Sequence, residues 1–279
     1  MTTSPDPDLT PMFDVDVPVP LTPVERLLAL AGLYTQHNDR IDLLFAGRAA
    51  AVPDTYVSSA RRLERDSLAC VKTIRQQRLP AIEPVTSAVV RLKQIAYLTS
   101  GATRYLTSAQ QALPPGDAQH VRPDPRSGFG QYVRLARELT ALAPAAVVEC
   151  ATHLAERLPD RARSRTTVSG MDRAQRDTLL EVARGHVIVT GQYEQPGYGR
   201  TVPVDVDVLR HLQSQGLVTC EPASAPPFFT GGPPRNRVRL PALGLAVLST
   251  VIASPLAVCP PAARPVHSPA AATTARARR

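Results

Sequence analysis

Glu149, His153 and Glu156 stand at i, i+4 and i+7, a spacing that lines three side chains along one helical face and could hold a metal ion. No second histidine or matched carboxylate pair accompanies them, so a solvated polar face is expected, and no metal or other cofactor is assigned. His37, Asn38 and Asp39 sit in a helix with no recognisable nucleophile near them in sequence. Cys70, Cys150, Cys220 and Cys259 lie far apart with no C-x-x-C pair, which reads as a reduced, cytoplasmic chain. Neither G-x-S-x-G, Walker A nor G-x-G-x-x-G occurs; Gly197, Gly199, Gly231 and Gly232 read as turn glycines. The expectation is a protein that is not an enzyme. Arg61, Arg65, Lys72 and Arg75 fall within about 80° of arc at 100° per residue, a stripe that could meet phosphates. It lies opposite an apolar face and is interrupted by Glu64 and Asp66, so an ordinary solvated face is expected.

The elements that must position such residues are punctuated by proline. The chain has 279 residues, 28 of them proline, and a net charge of +8, with 30 of the 32 basic residues arginine. Residues 1–20 carry four acids and no base, and the tail from 254 carries four arginines and no acid. Both ends are poor in large apolar groups and are expected to be disordered. The expected organisation is an acidic head at 1–21, a helical bundle at 22–158 with a loop at 114–128, and a linker at 159–171. A small α+β domain at 172–253 and the basic tail at 254–279 complete it. No repeat of 20 to 50 residues is visible. From Ala242 to Cys259 eighteen residues pass without a charge, the lower edge of a membrane span. Ser249, Thr250, Ser254, Pro255 and the abundance of alanine argue for a packed helix and no membrane partner.

Thr22-Pro23-Val24-Glu25 has the residues of a capping box and opens a helix to about Gly47, with Leu27, Leu30, Tyr34, Ile41 and Phe45 on one face. The spacing predicts a second helix from Asp54 to about Arg78 and a third from near Pro84 to about Leu113. A fourth runs from Phe129 to Leu158, kinked at Pro144. Four long amphipathic helices predict an antiparallel bundle that could also serve homo-oligomerisation or a partner. Beyond it, Asp172 caps a helix ending at Gly185, and the β-favouring runs His186–Thr190 and Arg200–Val202 read as a hairpin. A helix from about Asp205 to Gln215 ends at Gly216 with Leu217 placed to touch Leu212, the signature of a Schellman stop. Two short strands then flank a turn-rich segment, and Pro241 opens a last helix.

Residues 172–252, through Leu212-Gln213-Ser214-Gln215-Gly216-Leu217-Val218, the turn-rich wing and Leu240-Pro241-Ala242-Leu243-Gly244-Leu245, resemble a winged-helix domain of bacterial regulators. The fold class is therefore mainly α, an N-terminal antiparallel bundle plus a small α+β winged-helix-like domain. The resemblance implies duplex DNA as partner, with the helix before Gly216 in the major groove and the wing on the backbone or minor groove. It places Arg210, Gln213 and Ser214 on the reading helix, and Arg235, Asn236, Arg237 and Arg239 on the wing, the odd-numbered arginines sharing one strand face. Asp205 and Asp207 stand where phosphates would approach, and the hairpin replaces the family's middle helix. The alternative is a non-enzymatic adaptor in which this domain makes protein contacts.

Overall fold

The structure, a computed structural model, describes residues 21–49, 52–113, 127–158, 170–190, 195–196, 204–229 and 232–254. Nearly all of the head and tail, most of both linkers, and the run Arg200–Val202 lie outside these residues. The fold is mainly α with a small α+β C-terminal part.

Helix α1 (Pro23–Phe45) starts as its sequence dictates: Glu25 N donates to Thr22 Oγ1 at 3.2 Å, and Thr22 N donates to Glu25 Oε2 at 2.8 Å. Such a reciprocal cap satisfies two amide groups that the first turn would otherwise leave unpaired. Helices α2 (Pro53–Gln76) and α3 (Glu83–Gln111) follow, packed antiparallel. The Tyr34 hydroxyl fixes their level, lying 2.9 Å from Ser67 Oγ and 2.7 Å from Thr99 Oγ1, so one buried phenol is satisfied by two neighbouring helices.

The single kinked helix expected from Phe129 to Leu158 is instead two, α4 (Gly128–Thr140) and α5 (Ala143–Ala155). Pro144 has no N–H to give the Thr140 carbonyl, and its ring would collide with that carbonyl, so the helix stops and restarts with proline in the first turn. The freed carbonyl of Thr140 accepts instead from Asn38 Nδ2 at 3.0 Å, while Thr140 Oγ1 donates to Asn38 Oδ1 at 2.6 Å.

The C-terminal part runs α6 (Arg173–Ala183), β1 (Ile188–Thr190), β2 (Gln195–Pro196), α7 (Val206–Ser214), β3 (Thr219–Ala225), β4 (Arg235–Arg239) and α8 (Ala242–Ala253). Asp172 and Gln175 cap α6 reciprocally, at 2.8 and 3.1 Å. The Schellman stop after α7 forms: Leu217 N donates to Leu212 O and Gly216 N to Gln213 O, both at 2.9 Å, with Gly216 at φ +70°. The small antiparallel sheet has the order β2-β1-β4-β3. β1 pairs on one side with β4 and on the other with Gln195–Pro196, which lies between the two runs expected to form the hairpin, with Thr190 opposite Gln195.

One apolar cluster holds Leu27, Tyr34, Leu92, Val148 and Leu154 of the helical body together with Leu179, Leu209, Val238 and Leu248 of the C-terminal part. A second, around Ile41, Tyr56, Leu106, Phe129 and Val133, fills the far end of the helices. The described part of the uncharged run, through Ser254, is accounted for by packing, since Val247, Leu248 and Ile252 of α8 belong to the first cluster, and residues 255–259 lie outside the described residues. Among the described residues no helix is long and apolar enough to cross a membrane.

Candidate functional site

A single stretch of α1 from His37 to Asp42 gathers four polar side chains that reach other elements, three of them buried. Asn38 lies four residues after Tyr34 and three before Ile41, on the core stripe, so its amide needs internal partners and finds them at Thr140. Asp42 takes Arg137 of α4 at 3.0 and 2.9 Å. His37 Nδ1 lies 3.0 Å from Ser59 Oγ of α2, and its Nε2 is buried with no partner. Burial, with the charges of Arg137 and Arg40 adding to it, pushes the imidazole pKa down to about 4. His37 is therefore neutral at physiological pH, and its acid–base capacity is sealed from solvent.

Asp39 is the centre of the arrangement. It is buried, and Arg237 of β4 grips it with both ends of the guanidinium: Nε donates to Oδ2 at 2.9 Å and Nη2 donates to Oδ1. Arg239 Nη2 stands 3.7 Å from Oδ2, and Arg239 Nε also pairs with Glu221 of β3. The remaining arm of Arg237 donates to Gly185 O at 2.6 Å. Burial pushes the Asp39 carboxyl above the ordinary aspartate range, and the hydrogen bond and charge of Arg237 pull against it. Gly185 sits at φ +76°, and a Cβ there would meet Thr35 Oγ1 at 2.4 Å, so only glycine lets this turn approach α1 closely enough.

The wing residues named by sequence thus divide. Arg237 is 5% exposed, and Arg239, two positions on, reaches the same Asp39, so strand alternation points this pair at α1. Arg235 is also buried; Nε donates to Pro226 O at 2.9 Å, its guanidinium lies 5.8 Å from the Phe228 ring, and Nη1 has no partner. Burial and the neighbouring Arg237 lower its pKa from the usual arginine value. Asn236 Oδ1 accepts from Ala223 N at 2.9 Å, bracing the bulge where Ala223 takes φ +52°. On α7, Arg210, Gln213 and Ser214 are exposed; Arg210 bonds Asp207 at 3.1 Å, and Ser214 Oγ donates to His211 O at 2.7 Å. The sheet and α7 do not bring these seven residues to one open surface.

Glu149 pairs with Arg91 of α3, and among the described residues no three His, Cys, Asp or Glu side chains come together as a metal cage. Burial pushes the thiols of Cys70 and Cys150 up to about 11, so neither is a ready thiolate. A cleft of ≈ 750 Å³ opens between α1 and β3–β4, with Leu28, Gly32 and Leu33 on one side and Cys220, Glu221 and Arg239 on the other. The Cys220 thiol there is likewise raised by burial, with a side-chain hydrogen bond to Asn236, which is not a base, pulling against it. Asp39 stands out in the sequence only as part of a polar run, and its role depends on a distant partner. Its partner is 198 positions away, and the available signal was a polar run crossing the core stripe of α1. Comparison with protein-family models, curated proteins and solved structures finds no match for this chain.

Proposed function

We propose that the protein is a non-enzymatic adaptor whose winged-helix-like C-terminal part makes protein contacts and does not read DNA. The observation that carries this reading is the inward direction of the wing cations: Arg237 and Arg239 are engaged by Asp39 and Glu221, and Arg235 is buried beneath Phe228. A duplex needs such cations free to displace counterions from phosphate. What the wing tip offers solvent is instead apolar, Phe228 at 66% and Phe229 at 64% exposure. Exposed aromatic pairs are the anchors of protein interfaces. Arg48 Nη2 donates to Gly232 O at 3.2 Å and ties this tip to the loop after α1, which presents the two rings on a braced turn.

The test is a gel shift at low and physiological ionic strength beside affinity capture. The expected result is no salt-sensitive shift of random or genomic duplex. A reproducible protein partner is expected to be lost from the F228S/F229S variant while its far-UV circular dichroism is unchanged. Duplex binding that weakens with salt, and weakens further in R210A/Q213A, overturns the reading and returns α7 to the major groove.

A further inference from the structure

The outer faces of α2 and α3 form one surface that is both basic and apolar. On α2, Arg61, Arg65, Lys72 and Arg75 are exposed, none of them ion-paired among the described residues, and Leu68 lies in the middle of their arc at 49% exposure. On α3, Lys93, Tyr97 and Arg104 fall within about 40° of arc at 100° per residue, with Tyr97 76% exposed. The two helices are antiparallel. The Gln110–Asp54 bond and the hydroxyl of Tyr34, shared by Ser67 and Thr99, set their register. That register places Leu68 level with Tyr97, Lys72 level with Lys93, and Arg61 level with Arg104. An apolar centre is therefore flanked at both ends by paired cations, a pattern that phosphate alone does not call for.

Residues 1–20, outside the described part, have the complementary pattern. Asp6, Asp8, Asp14 and Asp16 give −4 with no base, and Leu9, Met12, Phe13, Val15 and Val17 are interleaved with them. The segment joins α1 at the correct end. α1 is antiparallel to α2 with Tyr34 level with Ser67, so Pro23 stands beside the α2 terminus that carries Arg75. From Arg75 to Arg61 is about 21 Å at 1.5 Å per residue. Fifteen residues of extended chain span about 50 Å, so the reach is ample. Tethering gives the segment an effective concentration on the order of mM.

We infer that residues 1–20 dock in cis across the α2–α3 face, the aspartates against its six cations and the apolar residues on Leu68 and Tyr97. The docked segment competes with any anionic partner for that face, independently of what the C-terminal part contacts. The test uses the full-length protein and the fact that its only two lysines, Lys72 and Lys93, both lie on this face. A carbodiimide that condenses a carboxylate directly with an amine is expected to link Asp14 or Asp16, and Asp6 or Asp8, to these lysines within one chain. Peptide mass spectrometry reads the links. They are expected to fall at least fivefold in high salt, and equally in L68S/Y97S, which changes only exposed residues and leaves every carboxylate and lysine in place. Lysines that react only with Glu64 or other nearby acids overturn the inference. So do head links that are insensitive to L68S/Y97S, or that form only between isotopically distinct chains.

Discussion

Replacing Asp39 with asparagine leaves the shape of the α1–β4 junction and removes its only buried carboxylate. Arg237 then stays 5% exposed with its charge facing a neutral amide that offers one acceptor oxygen in place of two, and it keeps its bond to Gly185 O. Removing one member of a buried pair typically costs about 3 to 5 kcal/mol, because the other is left uncompensated. Arg239 keeps Glu221, so the lower part of that range, about 3 to 4 kcal/mol, is expected. With a urea m-value of about 2 to 3 kcal/mol/M, the midpoint falls by more than about 1 M. Arg237→Met alone should cost a similar amount, since Asp39 is then left buried with only its longer 3.7 Å contact to Arg239. In the double variant D39N/R237M neither charge is left stranded, so the loss should be smaller than the sum by at least about 2 kcal/mol. Equilibrium urea unfolding followed by circular dichroism measures all three. Single variants that each cost under about 1 kcal/mol and add simply would refute the reasoning, because Asp39 and Arg237 would then not be a desolvated, coupled pair.

Two further outcomes follow from the same region. The folded His37 pKa of about 4 lies below the ordinary value near 6.5, so between those values the unfolded chain takes up a proton that the folded chain refuses. That stability is complete above about pH 6.5 and declines by about 1.4 kcal/mol per pH unit on acidification, roughly 3 kcal/mol by pH 4. In H37Q this part of the acid limb should flatten, as read from urea midpoints between pH 4 and 7; an unchanged slope counts against a buried neutral imidazole. Gly185→Ala should cost about 2 to 4 kcal/mol, from left-handed backbone and overpacking against Thr35. Thermal melts of G185A and of T35A/G185A check this, and the second change should recover the packing part only.

Local signals carried far into the structure. The Thr22–Glu25 box, the Asp172 cap and the Gly216 stop all formed where their residues stand, because caps act over three to six residues and need no distant partner. The sequence predicts only a kink at Pro144, because it locates a missing N–H but not what will donate to the carbonyl that N–H leaves open. Asn38, 102 positions away, decides that. The same limit explains the wing. Alternation along β4 places the arginines on one side, but which side faces solvent depends on the helix laid against it.

By itself the sequence determined most of the helices and the caps at Thr22, Asp172 and Gly216, since these follow from periodicity and contacts between near neighbours, whereas the split at Pro144 and the extents of the short strands were settled by pairing at a distance. The tertiary structure decided what the arginines of β4 are for. Asp39 meets Arg237 only after α1 and the C-terminal sheet pack on a common core, and in that dry contact a basic stripe becomes a buried clasp. Burial converts the charge from a surface signal to a structural bond, because a desolvated guanidinium must satisfy its donors internally.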